Sequence, residues 1–125
     1  MALQVTPEKS FFLRDGQPFF YLADTCWSAF TNITLEEWEE YLNYRRLQGF
    51  NALQINVLAQ WDSSLPYLYF PFKKDFSSFE LDEEYFDRAE EMIEVAKERG
   101  FIPVLVLLWC NYVPDTWGSE RKMNP

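Results

Sequence analysis

The pattern of this chain is set by Pro18-Phe19-Phe20-Tyr21-Leu22-Ala23-Asp24-Thr25-Cys26-Trp27-Ser28. The run begins apolar and ends abruptly in an acid, a hydroxyl and an indole. About four to eight apolar positions that are closed by polar groups are typical of a buried strand whose carboxyl end opens into a site. Two later segments of the chain repeat this plan.

The composition bounds the possible functions. The chain has 125 residues, 48% of them apolar, a net charge of -9 and no histidine. Length and apolar content suit a single globular domain. Scattered basic residues in an acidic chain disfavour nucleic acid as a partner. Without histidine, imidazole catalysis and histidine metal sites are excluded within this chain, and we expect neither a metal nor a cofactor.

The cysteines and the apolar runs bear on the compartment. Cys26 and Cys110 each follow an apolar run, as small buried side chains do in reducing compartments, and this favours free thiols over a disulfide. The chain opens without a signal-peptide pattern, and no apolar run approaches the roughly 20 residues of a membrane helix. We therefore expect a cytoplasmic protein that does not contact a membrane.

The first part of the chain predicts a hairpin and then a helix. Asp15-Gly16 lies between two apolar runs, which is a signal for a tight hairpin turn that leads into the first core strand. Thr34 and Glu37 form the pattern of a capping box at a helix start, and Gly49 ends the helical pattern. An apolar strand over 50–58 follows, with aliphatic side chains on one face and amides on the other.

The same order then recurs. After a long aromatic connection over 59–81, which we expect to be functional or to cover the core, Asp82 begins a second helix and Gly100 ends it before an apolar strand over 101–109. Alternating strands and helices predict a parallel sheet, either doubly wound or in a (β/α)8 barrel. The first strand lacks the glycine-rich loop of dinucleotide sites, so the barrel is favoured.

An ordered set of short motifs resembles a known family. The motifs are Asp15-Gly16-Gln17-Pro18-Phe19-Phe20, Ala23-Asp24-Thr25-Cys26-Trp27-Ser28, Tyr41-Leu42, Gly49-Phe50-Asn51 and Tyr85-Phe86-Asp87. Together they are similar to the start of the apiosidase-like glycoside hydrolases, a (β/α)8 barrel family. Ala23 departs from the pattern, since the family usually has glycine there.

The resemblance implies a parallel α/β fold that is only partly present. A complete barrel needs about 250 residues. Residues 1–125 would then form a single, incomplete barrel domain, with an N-terminal β-hairpin over 1–18 and the first three β/α units over 19–125. The resemblance also implies that the catalytic carboxylates lie on later strands, so we assign no catalytic residue to this chain.

In barrels of this type, ligands bind over the carboxyl ends of the strands. The candidate substrate-binding residues at those ends are Asp24, Thr25 and Trp27, then Asn56 and Trp61, then Trp109 and Asn111. Amides, a carboxylate and indoles suit a sugar, because polar groups bind its hydroxyls and rings cover its C–H face. Each residue also has a structural alternative: Asp24 as an acceptor of backbone amides, the tryptophans as packing residues, and Asn56 as a hydrogen-bonding residue of the interior.

The resulting hypothesis is the N-terminal portion of a glycoside hydrolase that acts on O-glycosidic bonds of plant or microbial carbohydrates and supplies substrate contacts. The alternative is a non-catalytic sugar-binding or interaction module that completes its sheet by self-association through the open edge. A different enzyme on a doubly wound sheet is a third interpretation, which the missing glycine loop disfavours.

Overall fold

A computed structural model describes residues 3–59, 67–74 and 80–116, apart from the side chain of Asn111. It contains two separate three-stranded sheets. The elements in chain order are β1 (Leu3–Val5), β2 (Phe12–Arg14), β3 (Gln17–Phe19), β4 (Ala23–Thr25), α1 (Ala29–Asn32), α2 (Leu35–Leu47), β5 (Ala52–Asn56), α3 (Glu83–Glu98) and β6 (Ile102–Val106), followed by a 3₁₀ turn, Cys110–Tyr112.

The N-terminal sheet is antiparallel, in the order β1-β2-β3. Arg14 pairs with Gln17, so Asp15 and Gly16 form a two-residue turn. Both take positive φ values, 51° and 79°, as the primed hairpin turns require. The Arg14 guanidinium donates to the carbonyl of Gly100 (3.2 Å), and this contact holds the hairpin against the chain just before β6.

The second sheet is parallel, in the order β4-β5-β6. Helix α2 connects β4 to β5, and α3 lies in the connection from β5 to β6. The prediction of a mixed α/β fold with a parallel sheet is therefore confirmed. Among the described residues, β4 and β6 each pair with β5 alone, so both are edge strands.

The helix boundaries follow the predicted caps. The Glu37 N–H donates to the Thr34 hydroxyl (3.2 Å), and the Thr34 N–H donates to the Glu37 carboxylate (2.8 Å). At α3, the Asp82 carboxylate accepts from the Tyr85 N–H (3.2 Å). Gly49 and Gly100 adopt positive φ just past the two helices, where a side chain would strain the backbone.

The run over 18–28 is not a single strand, contrary to the sequence-based expectation. It is divided between β3 and β4, and the residues between them bind the side chain of Asn51. The Asn51 amide donates to the Phe20 carbonyl (2.6 Å) and accepts from the Leu22 N–H (2.9 Å). The Leu22 carbonyl also accepts from the backbone N–H groups of Asn51 (3.0 Å) and Ala52 (3.2 Å). The side-chain clamp therefore adds to these backbone hydrogen bonds where the chain passes from one sheet to the other.

The core lies between the parallel sheet and its helices. Its residues are buried on the helix-facing side of the parallel sheet. The largest of them are Phe30, Trp38, Leu42, Leu53, Ile55, Met92 and Phe101. The Trp38 indole N–H donates to the Met92 carbonyl (2.9 Å), so α2 and α3 are joined by a buried hydrogen bond as well as by packing. In the described part of the chain, no helix is long and apolar enough to cross a membrane.

Candidate functional site

Two indoles meet at the carboxyl end of the parallel sheet. Trp27 follows β4 and Trp109 follows β6, the two strands on either side of β5. Their ring centroids lie 4.3 Å apart with an interplanar angle of 88°, an edge-to-face contact. Such pairs stabilise by about 0.5–1.5 kcal/mol beyond burial. Two of the three candidate tryptophans, Trp27 and Trp109, are therefore in contact at the end of the sheet.

Asn56 is the last residue of β5, and its backbone contacts one of the two tryptophans. Its backbone N–H donates to the Trp27 carbonyl (3.2 Å). Strand side chains alternate between faces, and Leu53 and Ile55 pack in the helix-facing core. Gln54 and Asn56 therefore belong to the opposite face of the sheet, away from the helices.

Asn56 is only 3% exposed. Among the described residues, neither its amide oxygen nor its amide nitrogen has a hydrogen-bond partner. A buried polar group without a partner costs about 1–3 kcal/mol, so such groups are rare in native proteins. In the part of the chain that the structure describes, the Asn56 amide is therefore a buried polar group without a partner at the end of a strand.

Asp24 points elsewhere. It pairs in register with Leu53, which places it on the helix-facing side. Its Oδ2 accepts from the Tyr41 hydroxyl (2.7 Å) and forms an ion pair with Arg45 Nε, while Oδ1 accepts from the Thr25 N–H (3.0 Å). The structure thus places Asp24 in contact with α2.

The surroundings of Asp24 are a network that sequence reasoning missed. The Arg45 guanidinium lies over the rings of Tyr41 (5.2 Å) and Phe50 (5.5 Å). Burial raises the pKa of the Tyr41 hydroxyl and raises the pKa of the Cys26 thiol to about 12. Burial thus favours the protonated form of both groups, as is usual for a cysteine that packs in the interior.

Trp27 also lines a mainly apolar cleft on the α2 side of the sheet. The cleft has a volume of about 390 Å³ and includes Ile33, Trp38 and Tyr41 in its lining. That volume falls in the range of small-molecule sites. Trp27 thus contacts the Trp109 ring and also lines a cleft large enough for a small ligand.

The remaining predicted residues are placed as follows. Thr25 pairs in register with Gln54, so it shares the Asn56 face, and it is exposed. Asn111 lies within the 3₁₀ turn, but its side chain is outside the described part of the structure. Trp61 lies outside the described residues altogether. The structure therefore brings together Trp27, Asn56 and Trp109.

Two tyrosine hydroxyls bind the backbone just after β5, and the sequence did not predict either contact. The Tyr85 hydroxyl donates to the Val57 carbonyl (2.8 Å), and the Tyr112 hydroxyl donates to the Ala59 carbonyl. Both carbonyls belong to the segment that directly follows β5. Tyr85 begins the Tyr-Phe-Asp motif and Tyr112 follows β6, so both positions could be noted in the sequence. Their acceptors are backbone carbonyls, which a residue pattern cannot predict.

Comparison with solved structures defines the class of protein. One similar structure is a glycoside hydrolase, with a TM-score of 0.68 and 22% identity over 87% of this chain and 26% of that one. Another is a glycoside hydrolase family 5 protein from Bacteroides vulgatus ATCC 8482, with a TM-score of 0.68 and 25% identity over 87% of this chain and 25% of that one. The fold is thus similar to part of these two glycoside hydrolases, and the chain spans about a quarter of their length.

A family model then gives the particular family. The model of the apiosidase-like catalytic domain matches residues 6–125, and the chain belongs to this family. The family assignment from the ordered motifs is therefore confirmed. A search of curated proteins found no significant match.

Proposed function

We propose that this chain is the N-terminal portion of an apiosidase-like glycoside hydrolase that acts on O-glycosidic bonds of plant or microbial carbohydrates. In this proposal β4, β5 and β6 are the first three strands of a (β/α)8 barrel. Residues 1–18 form the preceding hairpin, and residues 19–125 form three β/α units of a single domain. Sugar contacts come from the carboxyl ends of these strands.

The observation that carries the proposal is the contact between Trp27 and Trp109 at those ends (centroids 4.3 Å apart). Active sites of barrel enzymes lie at the carboxyl ends of the strands. Indole rings cover the C–H face of a sugar while their N–H groups remain available for hydrogen bonds. An edge-to-face pair next to a buried amide therefore suits a carbohydrate better than a charged ligand.

Bond cleavage is assigned to other residues of the longer enzyme. Glycosidases generally use two carboxyl groups that flank the scissile bond. Asp24 is the one acidic residue on the described strands, and its Oδ2 is bound to Tyr41 and Arg45. In this proposal the acid/base and the nucleophile come from later strands, so this chain alone binds sugar without cleaving it.

The test uses the purified chain of 125 residues. With a panel of p-nitrophenyl glycosides we expect no release of nitrophenolate. With xylo-, gluco- and pectic oligosaccharides we expect a saturable change in tryptophan fluorescence, which Trp109→Leu removes and Tyr44→Leu, an exposed ring on α2, retains. Turnover of any aryl glycoside would contradict the assignment of cleavage to later strands. The absence of a saturable response to every glycan would contradict the proposed sugar contacts.

A second candidate function is a sugar-binding module that completes its sheet by association with another copy. The observation that favours it is the exposed apolar edge at β6 and the residues after it, Leu105, Leu107 and Leu108. This candidate predicts a defined oligomer that binds sugar, whereas the first predicts a hydrolase once the later strands are present. Sequencing the coding DNA past the codon for Pro125 separates them, because only the first requires further β/α units.

A further inference from the structure

Asn56 is unusual because its side-chain amide is buried without a hydrogen-bond partner in the described part of the chain, while the backbone just after it is bound by two tyrosine hydroxyls. The Tyr85 hydroxyl donates to the Val57 carbonyl (2.8 Å), and the Tyr112 hydroxyl donates to the Ala59 carbonyl. Both hydroxyls thus bind the backbone that follows β5, and neither is a hydrogen-bond partner of the Asn56 amide. The Asn56 amide itself stays unpaired among the described residues while it is 3% exposed.

The position of this amide is fixed by the strand that carries it. Asn56 pairs in register with Val106 of β6, and its N–H donates to the Trp27 carbonyl (3.2 Å). The next residue, Val57, donates to the Val106 carbonyl (3.0 Å). Hydrogen bonds on both sides of the central strand thus hold the backbone, and groups on rigid strands are well suited to selective binding.

We propose that Asn56 is a specificity-determining residue whose side-chain amide binds two adjacent hydroxyl groups of the sugar. This inference rests on the proposed carbohydrate site. A primary amide presents an acceptor and a donor side by side on one carbon. The oxygen accepts from one hydroxyl, and the NH₂ group donates to the neighbouring hydroxyl oxygen. The ligand class is therefore a sugar with a free vicinal diol, and a sugar that lacks one of these two hydroxyls is rejected.

A structural role and a ligand-binding role of Asn56 predict opposite effects of one substitution. Leucine has a similar size and replaces the unpaired amide with apolar atoms. Removing an unsatisfied buried polar group is near neutral or stabilising. If the amide serves a ligand, Asn56→Leu keeps or raises the thermal midpoint and weakens sugar binding. If the amide holds the fold together, the same change lowers the midpoint.

The experiment is NMR on the ¹⁵N-labelled chain, titrated with methyl glycosides of xylose, glucose, galactose and arabinose. The Asn56 NH₂ signal is assigned by its loss in Asn56→Leu. We expect this signal and the Trp27 and Trp109 indole signals to move together with the best ligand. The monodeoxy analogues that break the diol should bind at least about tenfold more weakly. Gln54→Leu, which changes the other amide of the same face, serves as the matched control and should retain affinity.

The outcomes separate this inference from the proposed function. If the indole signals shift and the Asn56 signal does not, the proposed role of Asn56 is contradicted and the proposed sugar site is still supported. Unchanged affinity in Asn56→Leu, or a clearly lower thermal midpoint of that variant, also overturns it. If no glycoside shifts any of these signals, both the proposed sugar site and the proposed role of Asn56 are contradicted.

Discussion

Asp24 is held by two side chains from one face of a helix. Tyr41 and Arg45 lie four residues apart on α2, which places them side by side. The Tyr41 ring also stacks on the Trp38 ring, with centroids 5.4 Å apart and an interplanar angle of 15°. The strand that precedes Trp27 is thereby attached to the core through a carboxylate. Asp24 thus positions β4, and with it the indole at the sheet end.

Removal of the Tyr41 hydroxyl tests this attachment. Tyr41→Phe keeps the stacked ring but deletes the hydrogen bond to Asp24 Oδ2 (2.7 Å). Because hydrogen bonds to charged groups contribute about 1.5–3 kcal/mol, we expect the free energy of unfolding to fall by about that amount, as measured by urea denaturation. Tyr44→Phe, at an exposed position of the same helix, should change it by less than about 0.5 kcal/mol. Equal effects of the two variants would show that Tyr41 does not secure the strand.

The contacts of Asp24 could not be predicted from the sequence, although the residue itself could be identified as a candidate. The acid in Ala23-Asp24-Thr25 was identified as a notable group from its chemistry alone. Its partners were not, because the face on which Asp24 lies depends on its register with Leu53, and the register is set by long-range pairing. Tyr41 was correctly expected on a helix, but its contact with Asp24 could not be read from helical spacing.

At the scale of elements, local signals predicted the helices well and the strands less well. Caps are set within one helical turn, so Thr34 and Asp82 mark the observed helix starts. The strands are shorter than their apolar runs: 52–56 within 50–58, and 102–106 within 101–109. The run at 18–28 is divided because Asn51, about thirty residues later, binds its backbone. Local composition cannot show an interaction of that separation.

The Asn51 clamp gives a prediction about how the two sheets are joined. Asn51→Ala leaves the Phe20 carbonyl and the Leu22 N–H without their side-chain partner. We expect the unfolding free energy to fall by about 1–3 kcal/mol. Amide hydrogen exchange should accelerate at Leu22 and through β1–β3, while α3 keeps its protection. Asn43→Ala, at an exposed position of α2, is the control and should leave exchange in the hairpin unchanged. Unaltered exchange at Leu22 in Asn51→Ala would contradict the clamp.

At the scale of the whole molecule, the candidate site depends on topology. Trp27, Asn56 and Trp109 are far apart in the chain, and they meet because parallel strands end at the same edge of a sheet. The repeated strand-and-helix pattern was enough to predict that meeting. It was not enough to predict that Asp24 faces the helices, or that the Asn56 amide is left unpaired, because both depend on packing.

The open edge of the sheet leads to the last prediction. Among the described strands β6 pairs only with β5, and the residues after it expose Leu107 (67%) and Leu108 (57%). Unpaired edges next to apolar surface favour association. The net charge of -9 opposes it, so screening by salt should strengthen it. By sedimentation velocity we expect the purified chain to self-associate, and to do so more strongly as salt is raised.

Two variants test whether this association occurs through the edge strand β6. Leu107→Lys combined with Leu108→Lys places charge beside β6 and should yield a monomer at every salt concentration. Leu47→Lys, which changes a more exposed leucine (86%) at the end of α2, is the matched control and should associate as the parent chain does. Single exposed leucines are common on protein surfaces, so exposure alone does not explain association. If Leu47→Lys abolished association and the double variant did not, the contact would lie on the helical face, and the edge of β6 would have no part in it.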